Sequence, residues 1–100
     1  MKNPDVPSSP TIVVFTDHSK RRGQARGITL RSAELATRYG MKSRVRGGCH
    51  RRVLTKSCMS RARTAGVTAH EIEVARGVQV IVDERNQGKR IVVTIGPKLE

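Results

Sequence analysis

An α+β domain is predicted, with helices packed on one face of a small three- to five-stranded antiparallel sheet. Three observations carry the expectation. Thr68-Ala69-His70-Glu71 is a capping box, with Val67 and Ile72 placed for the hydrophobic staple around it. Residues 78–83 and 90–95 alternate apolar and polar on either side of a turn-like segment, as paired strands do. Gly47-Gly48 sits inside a run of residues 41–57 that reads as a hairpin. With 100 residues and a hydrophobic content of 36%, the chain can bury one modest core, so a single domain over residues 11–98 is expected.

Taken in order, residues 1–10 hold Pro4, Pro7 and Pro10 with two serines, which disfavours helix and ladder alike and predicts a disordered leader. Residues 11–15 form a β-branched run, either an edge strand or an apolar plug under the first helix. The stretch 17–28 opens with a basic helix capped by Thr16 or Asp17, weakened at Gly23 and ended by Gly27. On it His18, Arg22 and Arg26 fall at i, i+4 and i+8 and share one face. A second helix runs from an N-cap at Thr29 to Gly40, with Glu34 four residues before Arg38. Its buried side draws on Leu30, Ala33, Leu35, Ala36 and Tyr39.

For the hairpin, a two-residue turn at Gly47-Gly48 would set Arg46 opposite Cys49 and Arg44 opposite Arg51 on one outward face. Met41, Val45, His50 and Leu54 would take the other. Two arginines directly opposite each other destabilise a bare sheet, and an anionic partner would relieve that cost. Residues 58–65 form a short helix with Arg61 and Arg63, and the capping-box helix closes at Gly77. In the last two strands Val80 and Val82 match Ile91, Val93 and Ile95 as inward rows, in the centre of the sheet. Gly27-Ile28-Thr29 is echoed by Gly66-Val67-Thr68, which is how helices commonly start after a turn. Leu99-Glu100 has the look of a tag remnant.

Charge is the strongest pointer to function. The net charge is +12, and residues 17–63 hold it all, with 14 Lys/Arg against Asp17 and Glu34. Such a regional excess is an electrostatic footprint for a polyanion. Phe15 and Tyr39 are the aromatic residues and Trp is absent, which argues against platforms that stack bases on exposed rings. Contact would run through phosphates. Lys20, Arg21, Arg22, Arg26, Arg44, Arg46, Arg51, Arg52 and Arg61 are the candidate nucleic-acid contacts. No apolar run is long enough to span a membrane and no signal core opens the chain, so no membrane partner and a cytoplasmic location are expected. Cys49 and Cys58 are then expected as free thiols. The Cys49, His50 and Cys58 spacing matches no common zinc pattern, and neither metal nor cofactor is expected.

Phe15-Thr16-Asp17-His18 with Arg22, Arg26-Gly27-Ile28, Tyr39-Gly40 and Val93-Thr94-Ile95-Gly96 resembles a family of small bacterial and phage proteins. That family has the signature H-x3-R, R-G-[IV] and a C-terminal V-T-[VI]-G strand, and the resemblance covers roughly residues 15–96. More remotely, the family is similar to the RelE and BrnT ribonuclease toxins, which implies RNA as ligand and metal-independent RNA cleavage as an activity. In that reading His18 is the proton-transfer group, since histidine exchanges a proton near neutral pH, and Arg22 its cationic partner. The chain departs from the family pattern where relatives continue the last strand with His-Arg, because here Pro97-Lys98 follows Gly96. Two further functions fit the same charge: a non-catalytic nucleic-acid or ribosome-associated module, and a small protein whose basic face meets an acidic partner such as an antitoxin.

Overall fold

The structure is a computed structural model and describes residues 11–86 and 88–99. The expected leader, residues 1–10, lies outside the described residues, as does Glu100. Five strands form one sheet: β1 (Ile12–Phe15), β2 (Met41–Arg44), β3 (Cys49–Val53), β4 (Gln79–Asp83) and β5 (Lys89–Ile95). Their spatial order is β1-β5-β4-β3-β2. Every neighbouring pair is antiparallel except β1 and β5, which run parallel. The β-branched run at the start of the chain is therefore an edge strand. Among the described residues four α-helices accompany the sheet: α1 (Asp17–Ala25), α2 (Leu30–Tyr39), α3 (Met59–Thr64) and α4 (Ala69–Ala75).

Burial alternates along β4, where Val80 and Val82 are fully buried and Ile81 between them is half-exposed; on β5 the buried residues, Val92 and Ile95, are three apart, with Ile91, Val93 and Thr94 half-exposed. Onto the buried row pack Ala33, Leu35 and Ala36 of α2, Ala75 of α4, and Leu54 and Val78 from the connections. The expected inward row of Ile91 and Val93 is corrected here. A register shift between Ile81 and Val82 pairs Val82 with Val92 but Ile81 with Thr94, so Val92 turns inward in their place, while Ile95 is buried as expected.

Local chemistry explains the helix boundaries. Thr16, Thr29 and Thr68 are extended N-caps whose side chains accept from the main-chain N–H of Ser19, Ser32 and Glu71. The capping box at Thr68 and Glu71 is formed in both directions. Gly27 ends α1 with φ +71, a conformation that only glycine adopts cheaply. Gly40 differs from the expected left-handed C-terminal glycine: its φ is −68. It is needed for space, because a side chain there would run into the Ala36 carbonyl and the Val53 main-chain nitrogen.

α1 has almost no apolar surface, so its attachment is polar and steric. The Thr16 hydroxyl donates to the Val92 carbonyl at 3.2 Å, and buried Ser19 donates to the Thr16 carbonyl at 2.8 Å. Gly23 lies flat against the Ile95 side chain, and Arg26 Nε donates to the Ile95 carbonyl at 3.1 Å. The helix is thereby held on β5, near the β1 edge.

The hairpin forms, but one residue out of the expected register. Gly47 and Gly48 both have φ +78, yet Arg46 joins them in a three-residue helical turn. Arg44 consequently faces His50 and Ser43 faces Arg51, so the expected Arg44–Arg51 and Arg46–Cys49 pairs do not exist. Lys42 and Arg44 share a side with Arg52 and His50, while Met41, placed inward by the sequence pattern, is 53% exposed.

Candidate nucleic-acid interface

Many of the cations in residues 17–63 hold the fold together. A helix leaves its last carbonyls without partners and its C-terminal end partly negative. At the end of α2 three arginines meet that need. Arg90 donates to the Thr37 carbonyl at 2.8 Å, Arg61 to Tyr39 at 2.7 Å and Arg52 to Gly40 at 3.1 Å. Arg52 also grips Glu84 with two bonds of 2.6 and 2.9 Å, and its side chain is 9% exposed. Hydrogen bonding from Arg52 holds the Glu84 carboxyl below its ordinary pKa, against the opposing effect of burial. Arg52 is thus occupied and covered, which removes it from the cations that a phosphate can reach.

Arg38 is engaged in the same manner, by Glu34 at 2.9 Å and the Thr11 carbonyl at 2.9 Å. Arg31 bridges Glu34 and Glu71. Two groups stand out among those left, besides the exposed Lys56 and Arg63. Lys20, Arg21 and Arg22 are exposed on α1, together with His18. Lys42, Arg44, Arg46 and Arg51 are exposed on the β2–β3 hairpin. Among the described residues no ion pair reaches either set. α1 rides on β5 beside β1, whereas β2 is the opposite edge of the sheet. The continuous basic window of the sequence is therefore split across the molecule, and His18 is not brought to Arg44 or Arg51.

The hairpin patch continues into a shallow groove of about 410 Å³ whose walls include Lys42, Arg52, Ser57, Cys58 and Arg61. Burial pushes the Cys58 thiol up, but hydrogen bonds from Thr55, Arg61 and Ser57 outweigh it and hold the thiol below its usual range. Lys42 and Ser57 were not singled out by the sequence. Only the pairing of β2 with β3 and the turn at Lys56–Cys58 bring them beside Arg61. His50, opposite Arg44 on the hairpin, has a buried Nδ1 without a hydrogen-bond partner among the described residues.

Cys49 and Cys58 are both free thiols. A larger groove of about 770 Å³ lies between Leu54, Lys56, Glu73, Arg76, Lys98 and Leu99, where Arg76 pairs with Glu73 and Lys98 donates to the Val74 carbonyl. Leu99 is no loose end, since its N–H donates to the Gly77 carbonyl at 2.7 Å. Among the described residues no cluster of three His, Cys, Asp or Glu could hold a metal, and no helix is long and apolar enough to cross a membrane. No family model, curated protein or solved structure matches the chain.

Proposed function

We propose that the chain binds a nucleic acid, RNA in the first instance, through phosphate contacts made by Lys42, Arg44, Arg46 and Arg51 of the hairpin. One observation carries the reading. Glu34, Glu71, Glu73, Asp83 and Glu84 are all in ion pairs, and none of those pairs includes Lys42, Arg44, Arg46 or Arg51. Lys42 and Arg44 lie on one side of the hairpin and Arg51 on the other, and a polyanion that follows this edge of the sheet would neutralise both. The scarcity of aromatic rings favours backbone contacts over base stacking. RNA is preferred to DNA because of the resemblance to the RelE and BrnT toxins.

Binding without cleavage is the better-supported form. Metal-free scission of RNA needs a base, an acid and cations converging on one phosphate. His18 and Arg22 lie with the α1 patch, away from the hairpin, and Pro97-Lys98 stands where the family pattern has His-Arg. The test is incubation of the full chain with labelled RNA and DNA at two salt concentrations, scored for mobility shift and for fragments. A shift that weakens steeply with salt over intact RNA is expected. Affinity indifferent to salt would overturn the binding proposal, and RNA fragments lost in His18→Ala would restore the ribonuclease reading.

A further inference from the structure

Arg85 follows β4 and is remote from the hairpin in sequence, yet it lies on the hairpin's turn. A Cβ added at Gly48 would stand 3.1 Å from Arg85 Cδ and 3.5 Å from its Nε and Nη1, so the side chain crosses the turn that also carries Arg46. Asp83 fixes it there. Arg85 Nε donates to one carboxylate oxygen of Asp83 at 3.0 Å and Nη2 to the other at 2.8 Å, and the Arg85 main-chain N–H reaches the first oxygen at 3.0 Å. Asp83 pairs with Cys49 across the strands, two residues before Arg51, so Asp83 and Arg51 share one side of the sheet.

This fork uses the Nε/Nη2 side of the guanidinium. The other edge, Nη1 with the second proton of Nη2, meets no acceptor among the described residues, and the side chain is 67% exposed. Two parallel N–H donors held in place lose little freedom when they meet two acceptors in one plane. We propose that Arg85 reads guanine, donating from Nη1 and Nη2 to O6 and N7 of one base while the hairpin cations hold the neighbouring phosphates. The inference rests on the hairpin being the nucleic-acid interface.

Charge separates Arg85 from its neighbours. The Asp83 carboxylate cancels the guanidinium's charge, so the pair offers a phosphate less than Arg46 and Arg51 do, which stand outside every ion pair among the described residues. A neutral ligand with two adjacent acceptors meets no such handicap. Guanine presents that edge on the side that base pairing leaves free. Adenine sets an amino donor beside N7, uracil sets an N–H between its carbonyls, and the O2/N3 pair of cytosine is taken up in base pairs.

The test is fluorescence anisotropy of the full chain with labelled single-stranded uridine 12-mers carrying isolated guanine, adenine, cytosine or 7-deazaguanine at the same positions. Guanine should bind about fivefold tighter or more than the other three, since 7-deazaguanine keeps the ring but lacks N7. Arg85→Lys, with the fold retained by circular dichroism, should erase that preference and leave the uridine affinity and its salt slope unchanged. Deoxy oligomers should show the same preference, because the edge is common to both sugars; a preference confined to ribose would overturn the assignment. So would equal affinity for guanine and 7-deazaguanine, or a guanine preference that survives Arg85→Lys, and either result would leave the hairpin interface standing. A chain that binds none of the oligomers overturns both readings.

Discussion

Arg52 shows how one residue can carry two readings. In the sequence it stands beside Arg51 as a pair of ligand-facing cations; in the fold its neighbour is exposed while Arg52 is clamped between Glu84 and the end of α2. Removing one partner of a buried ion pair leaves the other charge uncompensated, so Arg52→Ala should cost about 3–5 kcal/mol by chemical denaturation. Arg51→Ala, one position away, should cost little stability. The pair also sets a pH dependence. The folded-state pKa of Glu84 is depressed, so its contribution is present above the unfolded value, about 4.3, and is lost as pH falls through the lower folded value. Glu84→Gln should lower stability at neutral pH and flatten the loss between pH about 4.3 and the folded value of Glu84. Asp83, held at about 2 by Arg85, titrates in the same sense. None of this was legible in the sequence, because Glu84 lies 32 residues beyond Arg52 and only the pairing of distant strands joins them.

At the scale of single elements, boundaries were legible where side chains act on their own neighbours. The threonine caps and the capping box follow from spacing alone, and Thr68→Ala should cost about 1 kcal/mol, read from thermal melts. What depends on a partner strand was not legible. Ile91-Val92-Val93 is apolar throughout and so carries no phase of its own, and the shift between β4 and β5 decided which of its residues turn inward. Likewise both glycines of the hairpin turn took the expected positive φ, yet the inclusion of Arg46 moved β2 by one residue against β3. Gly23 adds a case where propensity misleads. Glycine to alanine inside a helix usually gains about 1 kcal/mol. Here a Cβ would stand 2.9 Å from Ile95 Cδ1 and 3.1 Å from the Ile28 carbonyl, so Gly23→Ala should lower the melting temperature and loosen α1 from β5.

For the molecule as a whole, the mixed α+β class and the basic character of the first two-thirds were both readable from the chain. The placement of that charge was not. A net charge of +12 says nothing of how many cations cap helix ends, and the fold assigns Arg26, Arg38, Arg52, Arg61 and Arg90 to main-chain carbonyls. Lys20, Arg21 and Arg22 on α1 and Lys42, Arg44, Arg46 and Arg51 on the β2–β3 hairpin lie toward opposite edges of the sheet, so the two groups can be tested separately. RNA affinity should be measured by fluorescence anisotropy across a salt titration for three proteins: wild type, a variant with Lys42, Arg44, Arg46 and Arg51 changed to alanine, and one with Lys20, Arg21 and Arg22 changed to alanine. At about 0.7 in logarithmic salt slope per single-strand phosphate contact, the hairpin variant should lose about 2.8, and the α1 variant less. A hairpin variant that keeps both the affinity and the slope of wild type would contradict the assignment of this edge as the nucleic-acid interface.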